Sequence, residues 1–269
     1  MNKNRRANIS TSRKNKYKRR EKQFTITIIV SMIIISSVFL IVYDSIRKTN
    51  REQYHSFYDN NYSHKYAVRG VDVSRHNGTV NWEQLKFEGI TFAYIKSTEG
   101  ASHIDIKYDD NYKRAKKAEV KVGAYHFYTF GLNGSLQAKH FIHNTTVDSQ
   151  DLVPAIDVEH SPVNQYSKDR DYMHHIIVEL IKLERDLYDY YGVRPLIYTN
   201  KDCYKLYIEG HFPENKIWMS DLHNEPQTKD DNWIMWQFSH TGNIDGINGD
   251  IDLNYFRYSF RQFNQLLMP

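Results

Sequence analysis

The 269-residue chain has a single cysteine, Cys203, so no disulfide can form within it and a cysteine-ligated metal site is excluded. Its folded part must rest on an apolar core and not on covalent staples. No Gly-x-Gly-x-x-Gly, Walker loop or His-Glu-x-x-His occurs, which removes support for nucleotide and zincin chemistry. A Ser-His-Asp reading lacks its nucleophile elbow. Acid is nearly missing from residues 1–22, where ten Lys or Arg face only Glu21 and give +9. The whole chain is +4, so the remainder carries −5. The basic pI belongs to a tail, and nucleic acid is not an expected partner of the folded part.

Charge is missing altogether from Phe24 to Tyr43, twenty residues rich in Ile, Val, Phe and Met. As a helix these span about 30 Å, the thickness of a bilayer's hydrocarbon. The basic flank predicts a cytoplasmic N-terminus and export of the C-terminal part. A cleaved signal peptide is the rival, but it would have a shorter apolar core and a small-x-small site, and Val42–Ile46 offers no such site. The expected organisation is a basic cytoplasmic tail over 1–23, a single-pass signal anchor over 24–43 and a polar linker over 44–65. One extracytoplasmic domain of 66–269 comes next, large enough for its own core and expected to be a monomer.

Within that domain, short apolar runs alternate with amphipathic stretches. Strands are predicted at Val68–Ser74, Thr91–Ser97, Val120–Tyr128, Leu152–Val158 and Arg194–Thr199. Helices are predicted at Trp82–Phe87, Tyr108–Ala118, Leu136–Asn144, Asp169–Tyr191 and Lys201–Tyr207, the last capped by Asn200. Three short strands near Ile217–Ser220, Ile234–Phe238 and Asp250–Leu253 close the chain without an obvious helix between them. This is the pattern of an irregular (β/α) barrel of about five helices and eight strands, preceded by one transmembrane helix.

The most informative segment is Leu152-Val153-Pro154-Ala155-Ile156-Asp157-Val158-Glu159-His160. A strand's period of two puts Asp157 and Glu159 on one face, with Cα atoms roughly 6.5–7 Å apart. Alone, such a pair is more often two solvated surface acids. Here Asp72 lies in the end of strand one, Glu99 follows strand two, and Asp252 lies in the final strand, so a barrel would gather five acids at one mouth. Tyr94, Tyr125, Phe127, Tyr198, Trp218 and Trp236 with Gln237 are candidate sugar platforms, since flat C–H faces stack on aromatic rings and amides bind hydroxyls. Each ring singly is more often core. Paired carboxyls serve glycosidic cleavage, where one protonates the leaving oxygen. Clustered acids could also hold Mg²⁺ or Ca²⁺, but no Asp-x-Asp-x-Asp-Gly loop is present and no metal or cofactor is expected. Of the histidines, His126 and His160 are placed near the mouth, while His174 and His175 on the long helix read as structural.

These residues resemble glycoside hydrolase family 25, the Chalaropsis-type lysozymes or N-acetylmuramidases. Eight blocks occur in family order: Gly70-Val71-Asp72-Val73-Ser74 with Asn77-Gly78 and Trp82; Phe92-Ala93-Tyr94-Ile95-Lys96-Ser97-Thr98-Glu99-Gly100; Val122-Gly123-Ala124-Tyr125-His126-Phe127; Pro154-Ala155-Ile156-Asp157-Val158-Glu159; Leu196-Ile197-Tyr198-Thr199; Ile217-Trp218-Met219-Ser220; Trp236-Gln237-Phe238; and Asp252-Leu253-Asn254-Tyr255-Phe256. The resemblance implies hydrolysis of the β-1,4 bond between N-acetylmuramic acid and N-acetylglucosamine in peptidoglycan. By the same resemblance, Glu159 matches the general acid and Asp157 the acid that assists the substrate's 2-acetamido group. Asp72, Asp252 and Glu99 match further acids of the family mouth. No wall-binding repeats are visible, and the expected anchor points to the producer's own envelope as the target. A catalytically inactive glycan-binding scaffold and a hydrolase of another N-acetylhexosamine polymer, such as chitin, stay open at this point.

Overall fold

The computed structural model describes residues 25–46, 62 and 65–269. The basic tail and most of the linker lie outside the described residues. The chain divides into two compact units, residues 1–53 and 54–269. In the first, one helix, α1 (Thr25–Ile46), is long and apolar enough to cross a membrane. It starts one residue later and ends three residues later than the uncharged run suggests. Ser31, Ser36 and Ser37 each return their hydroxyl to a backbone carbonyl three or four residues earlier, so the helix presents no unsatisfied hydroxyl from these serines.

The second unit is a closed barrel of eight strands. They are β1 (Val68–Val73), β2 (Ile90–Glu99), β4 (Lys121–Phe127), β5 (Ala155–Val158), β6 (Leu196–Asn200), β7 (Ile217–Ser220), β8 (Trp233–Gly242) and β9 (Ile251–Phe256). β1 closes the ring by pairing in parallel with β2 and antiparallel with β9. β8 and β9 are also antiparallel, and the remaining neighbours are parallel. A two-residue strand, β3 (His103–Ile104), folds back on the end of β2 outside the ring. Five connections carry the helices α2 (Trp82–Phe87), α3 (Tyr108–Lys117), α4 (Gly134–Asn144), α5 (Arg170–Tyr191) and α6 (Lys201–Cys203), and α6 runs on into a π turn over Tyr204–Ile208. A last short helix, α7 (Phe260–Phe263), has no counterpart among the sequence expectations.

Alternation along the strands creates two cores. Outward residues such as Val71, Ile95, Ile156, Ile197 and Met219 pack under the helices, against Ile176, Leu180, Leu183 and Leu187 of α5. Asp169 starts α5 by accepting from the backbone of Asp171 and Tyr172, and Gly192 ends it in the left-handed conformation at φ 70°. Inward residues fill the barrel with Val68, Phe92, Tyr94, Ala155, Leu196, Met235 and Phe256. The C-terminal segment plugs the lower end, where Phe263 and Met268 join this inner core and Val153 donates to the carbonyl of Leu266. Glycine makes the filling possible: a Cβ on Gly70 would sit 2.3 Å from the Phe92 ring. Apolar filling stops short of the upper end, and polar side chains line what remains.

Candidate active site

The strands' upper end holds a cavity of about 180 Å³ lined by Asp72, Tyr125, Asp157, Glu159, Tyr198, Trp218, Gln237, His240 and Asp252. Asp157 is inward on β5, and Glu159 follows one residue beyond the strand, so the period of two delivers both acids to the same wall. Asp72 comes from the end of β1. Asp252 reaches the same level because β9 runs antiparallel and pairs Asp252 directly opposite Asp72. The sequence expectation placed Asp252 in a terminal strand; its position is the beginning of a reversed strand and not the end of a parallel one.

A hydrogen-bond frame holds the acids. Oδ2 of Asp72 accepts from Gln237 Nε2 at 2.9 Å and from Asn254 Nδ2 at 2.8 Å. Each amide is oriented by an aromatic donor: the Tyr198 hydroxyl reaches Gln237 Oε1 at 2.7 Å, and Trp218 Nε1 reaches Asn254 Oδ1 at 2.7 Å. His240 Nε2 also lies 2.7 Å from Gln237 Oε1 and 3.1 Å from Ser220 Oγ. Oδ1 of Asp157, by contrast, is buried without a hydrogen-bond partner among the described residues. A buried carboxyl oxygen left unmatched is costly unless a bound group supplies the donor.

Four carboxyl groups around one small cavity cannot all be charged at once. Burial, and then Asp72 next to it, pushes Asp252 up to about 9, so Asp252 keeps its proton at neutral pH and shares a hydrogen bond with Asp72. Burial raises Asp72 as well, but the amide donors of Asn254 and Gln237 oppose that shift and favour its ionised form. Burial and then the Asp72 charge bring Glu159 up to about 7, with Lys96 opposing. Asp157 is pushed well above the carboxylate range by burial and then by Glu159, again against Lys96. A carboxyl near 7 can both give and take a proton near neutrality, as acid–base catalysis requires.

The other expected site residues lie elsewhere. Glu99 closes β2 with its carboxylate bound to Lys96 Nζ at 2.7 Å, and it is not among the cavity-lining residues. Phe127 lies beneath the same ammonium, 4.6 Å from the ring centre. Tyr94 is a layer lower, donating to the carbonyl of Val153 at 2.9 Å with its ring 4.9 Å from Trp218, so it supports the floor. Trp236 points outward and donates to the carbonyl of Asp221. His126 is also outward and buried, bonded to Thr98 and Gln137, and burial lowers it to about 3. His160 lines a neighbouring pocket, and His174 and His175 lie on α5 away from the cavity. Three contributors were not singled out from sequence: His240, Asn254 and Lys96. The signal available for the last two was their place inside the Asp252–Phe256 and Phe92–Gly100 blocks. Among the described residues no group of three or more His, Cys, Asp or Glu is arranged to hold a metal ion.

Residues 71–247 match the sequence model of the glycosyl hydrolases family 25. Lysozyme M1 of Streptomyces globisporus is 31% identical over 209 residues, which cover 72% of this chain and 69% of that protein. A family 25 glycosyl hydrolase from Bacillus anthracis superposes with a TM-score of 0.68 at 32% identity, over 76% of this chain and 94% of that one. The bacterial lysozyme from Streptomyces coelicolor superposes with a TM-score of 0.67 at 29% identity, over 74% of this chain and 96% of its own.

Proposed function

The chain belongs to glycosyl hydrolase family 25, and from that membership we propose that it is a membrane-anchored muramidase of peptidoglycan. The bond it cleaves is the β-1,4 link from N-acetylmuramic acid to N-acetylglucosamine. The observation that carries the reading is the pairing on one wall of Glu159, titrating at about 7, with Asp157, whose buried Oδ1 has no partner among the described residues. An acetamido N–H of the substrate is the donor that oxygen lacks. Held so, the acetamido carbonyl oxygen attacks the anomeric carbon as Glu159 gives its proton to the departing glycosidic oxygen. The bond to that oxygen breaks with its electron pair, and an oxazolinium forms. Water then adds to the anomeric carbon while Glu159, now ionised, takes its proton, and the acetamido group is restored. Asp72, fixed by Gln237 and Asn254, adds negative potential beside the developing cation. Tyr125, Tyr198 and Trp218 offer ring surface to the sugars.

Anchoring is part of the same proposal. Its support is α1, whose apolar side chains are exposed along its length, together with the basic block before it. The proposed organisation is tail 1–23, anchor 24–43, a linker 44–65 whose first three residues continue the helix to Ile46, and an extracytoplasmic catalytic domain 66–269, acting on the cell's own wall.

The test is to incubate the full chain in detergent, and its Glu159→Gln variant, with purified peptidoglycan, reduce with borohydride and identify the new ends by mass spectrometry. Reduced muramic acid from the wild type alone is the expected result. Reduced glucosamine ends would assign another bond, and pelleting with the wall without any new ends would make the domain a glycan-binding scaffold.

A further inference from the structure

Directly beyond Glu159 lies a second cavity of about 440 Å³, lined by His160, Tyr166, Asp202, Lys205 and Leu206. It is formed by the loop after β5 and the helical turn after β6. Both strands are parallel and end at the level of the acid cavity, so this pocket lies at the same end of the barrel. Its base is aromatic and fixed. The His160 ring meets Phe130, Tyr166 and Tyr207 edge-on at 6.0, 5.8 and 5.8 Å, and its Nε2 lies 3.2 Å from the Tyr207 hydroxyl. Burial lowers the titration of this imidazole, with the Asp202 charge opposing. Lys205 and Leu206 belong to the π turn, a local geometry that recurs where a chain shapes a binding site.

Two charges of opposite sign face this pocket. Neither the Lys205 ammonium nor the Asp202 carboxylate takes part in an ion pair among the described residues. Tyr166, with 53% of its surface exposed, and Leu206 give the pocket an apolar side. A neutral N-acetylglucosamine unit has no countercharge for either group. A muramoyl unit bears a peptide on its lactyl ether, and that peptide brings free carboxylates, amines and short aliphatic side chains together. Resting on the muramidase reading above, we propose that this pocket seats the stem peptide of a muramoyl residue on the Glu159 side of the cleft. Lys205 faces its carboxylates, Asp202 its amine, and Tyr166 and Leu206 its aliphatic part. The site thereby reads whether the wall still bears its peptides.

The test has two arms, both using the full chain in detergent, with thermal unfolding as the check that each variant is folded. In the first, kcat/KM is measured on intact glycan strands and on strands stripped of peptide by an amidase. Wild type should prefer intact strands by at least about fivefold, and Lys205→Glu and Tyr166→Ala should lose that preference through KM. Equal losses on both substrates would make the pocket a sugar subsite and overturn the proposal. In the second arm, a synthetic stem tetrapeptide with two free carboxylates and one side-chain amine is titrated onto the protein. Saturable binding that Lys205→Glu abolishes supports the proposal, and no binding to wild type overturns it. If no glycan is cut at all, the muramidase reading fails by itself, and peptide binding still decides this one.

Discussion

Asp72 and Asp252 face each other across the antiparallel β1–β9 pair and are joined by a hydrogen bond, and burial followed by Asp72 pushes Asp252 up to about 9, so Asp252 is the partner that favours its protonated form. The arrangement makes Asp252 a hydrogen-bond donor at neutral pH, the third to Asp72 after Gln237 and Asn254. Asp252→Ala removes a donor from a buried carboxylate and should cost about 1–3 kcal/mol. Asp252→Asn keeps an N–H donor and should stay within about 0.5 kcal/mol of wild type at pH 7. Urea unfolding of the two variants decides the matter. Equal losses would mean that Asp252 is not the proton carrier.

Glu159 gives a pH signature with two opposite faces. As the proposed acid, it must be protonated, so kcat/KM should fall as pH rises through about 7, and Glu159→Gln should abolish turnover at every pH. For stability the same shift acts as a burden. Its folded titration at about 7 exceeds the ordinary 4.5, so between those values the native state binds the extra proton and stability declines as pH rises. Glu159→Gln escapes that decline. It should be roughly 1–3 kcal/mol more stable than wild type at pH 8 and no more stable at pH 4. Unfolding curves at the two pH values test it, and an unchanged difference between them would refute the burial of this charge.

Much of this site is legible in the sequence because a strand's alternation is rigid. Asp157 and Glu159 had to share a face, and Gln237 and Trp236 had to be on opposite faces. What sequence does not carry is depth and direction along the barrel. Tyr94 obeys the inward alternation yet lies one layer too low to line the cavity, and Phe127 is held under Lys96. Trp236 is as aromatic as Trp218, and only its register on β8 sends it outward. Asp252 reaches the mouth through strand reversal, which no local pattern announces. His240 lies beyond a register irregularity in β8, where the period of two no longer predicts facing.

Lys96 is the cation that opposes the rise of both Asp157 and Glu159, and Glu99 holds it at 2.7 Å. Lys96→Met keeps the volume and deletes the charge. The basic limb of the kcat/KM profile should then move up by about one pH unit, with a lower plateau. Glu99→Gln leaves the ammonium in place, so turnover should stay within about tenfold of wild type. A loss as complete as that of Glu159→Gln would show that Glu99 takes part in the chemistry itself.

Tyr94 and Gly123 are register partners on β2 and β4, and a Cβ at position 123 would lie 2.4 Å from the Tyr94 ring. Gly123→Ala therefore has to displace a ring whose hydroxyl is held by the carbonyl of Val153 and which lies tilted against Trp218 at 4.9 Å. Trp218 orients Asn254, and Asn254 orients Asp72, so the push travels to the cavity through three side chains. Overpacking of this kind should cost about 1–3 kcal/mol in urea unfolding, and kcat should fall although no cavity atom is removed. Tyr94→Leu in the same chain vacates the contested space. Its combination with Gly123→Ala should be less damaging than the sum of the two, a coupling of about 1 kcal/mol or more. Strict additivity would mean that the ring is not what position 123 must leave room for.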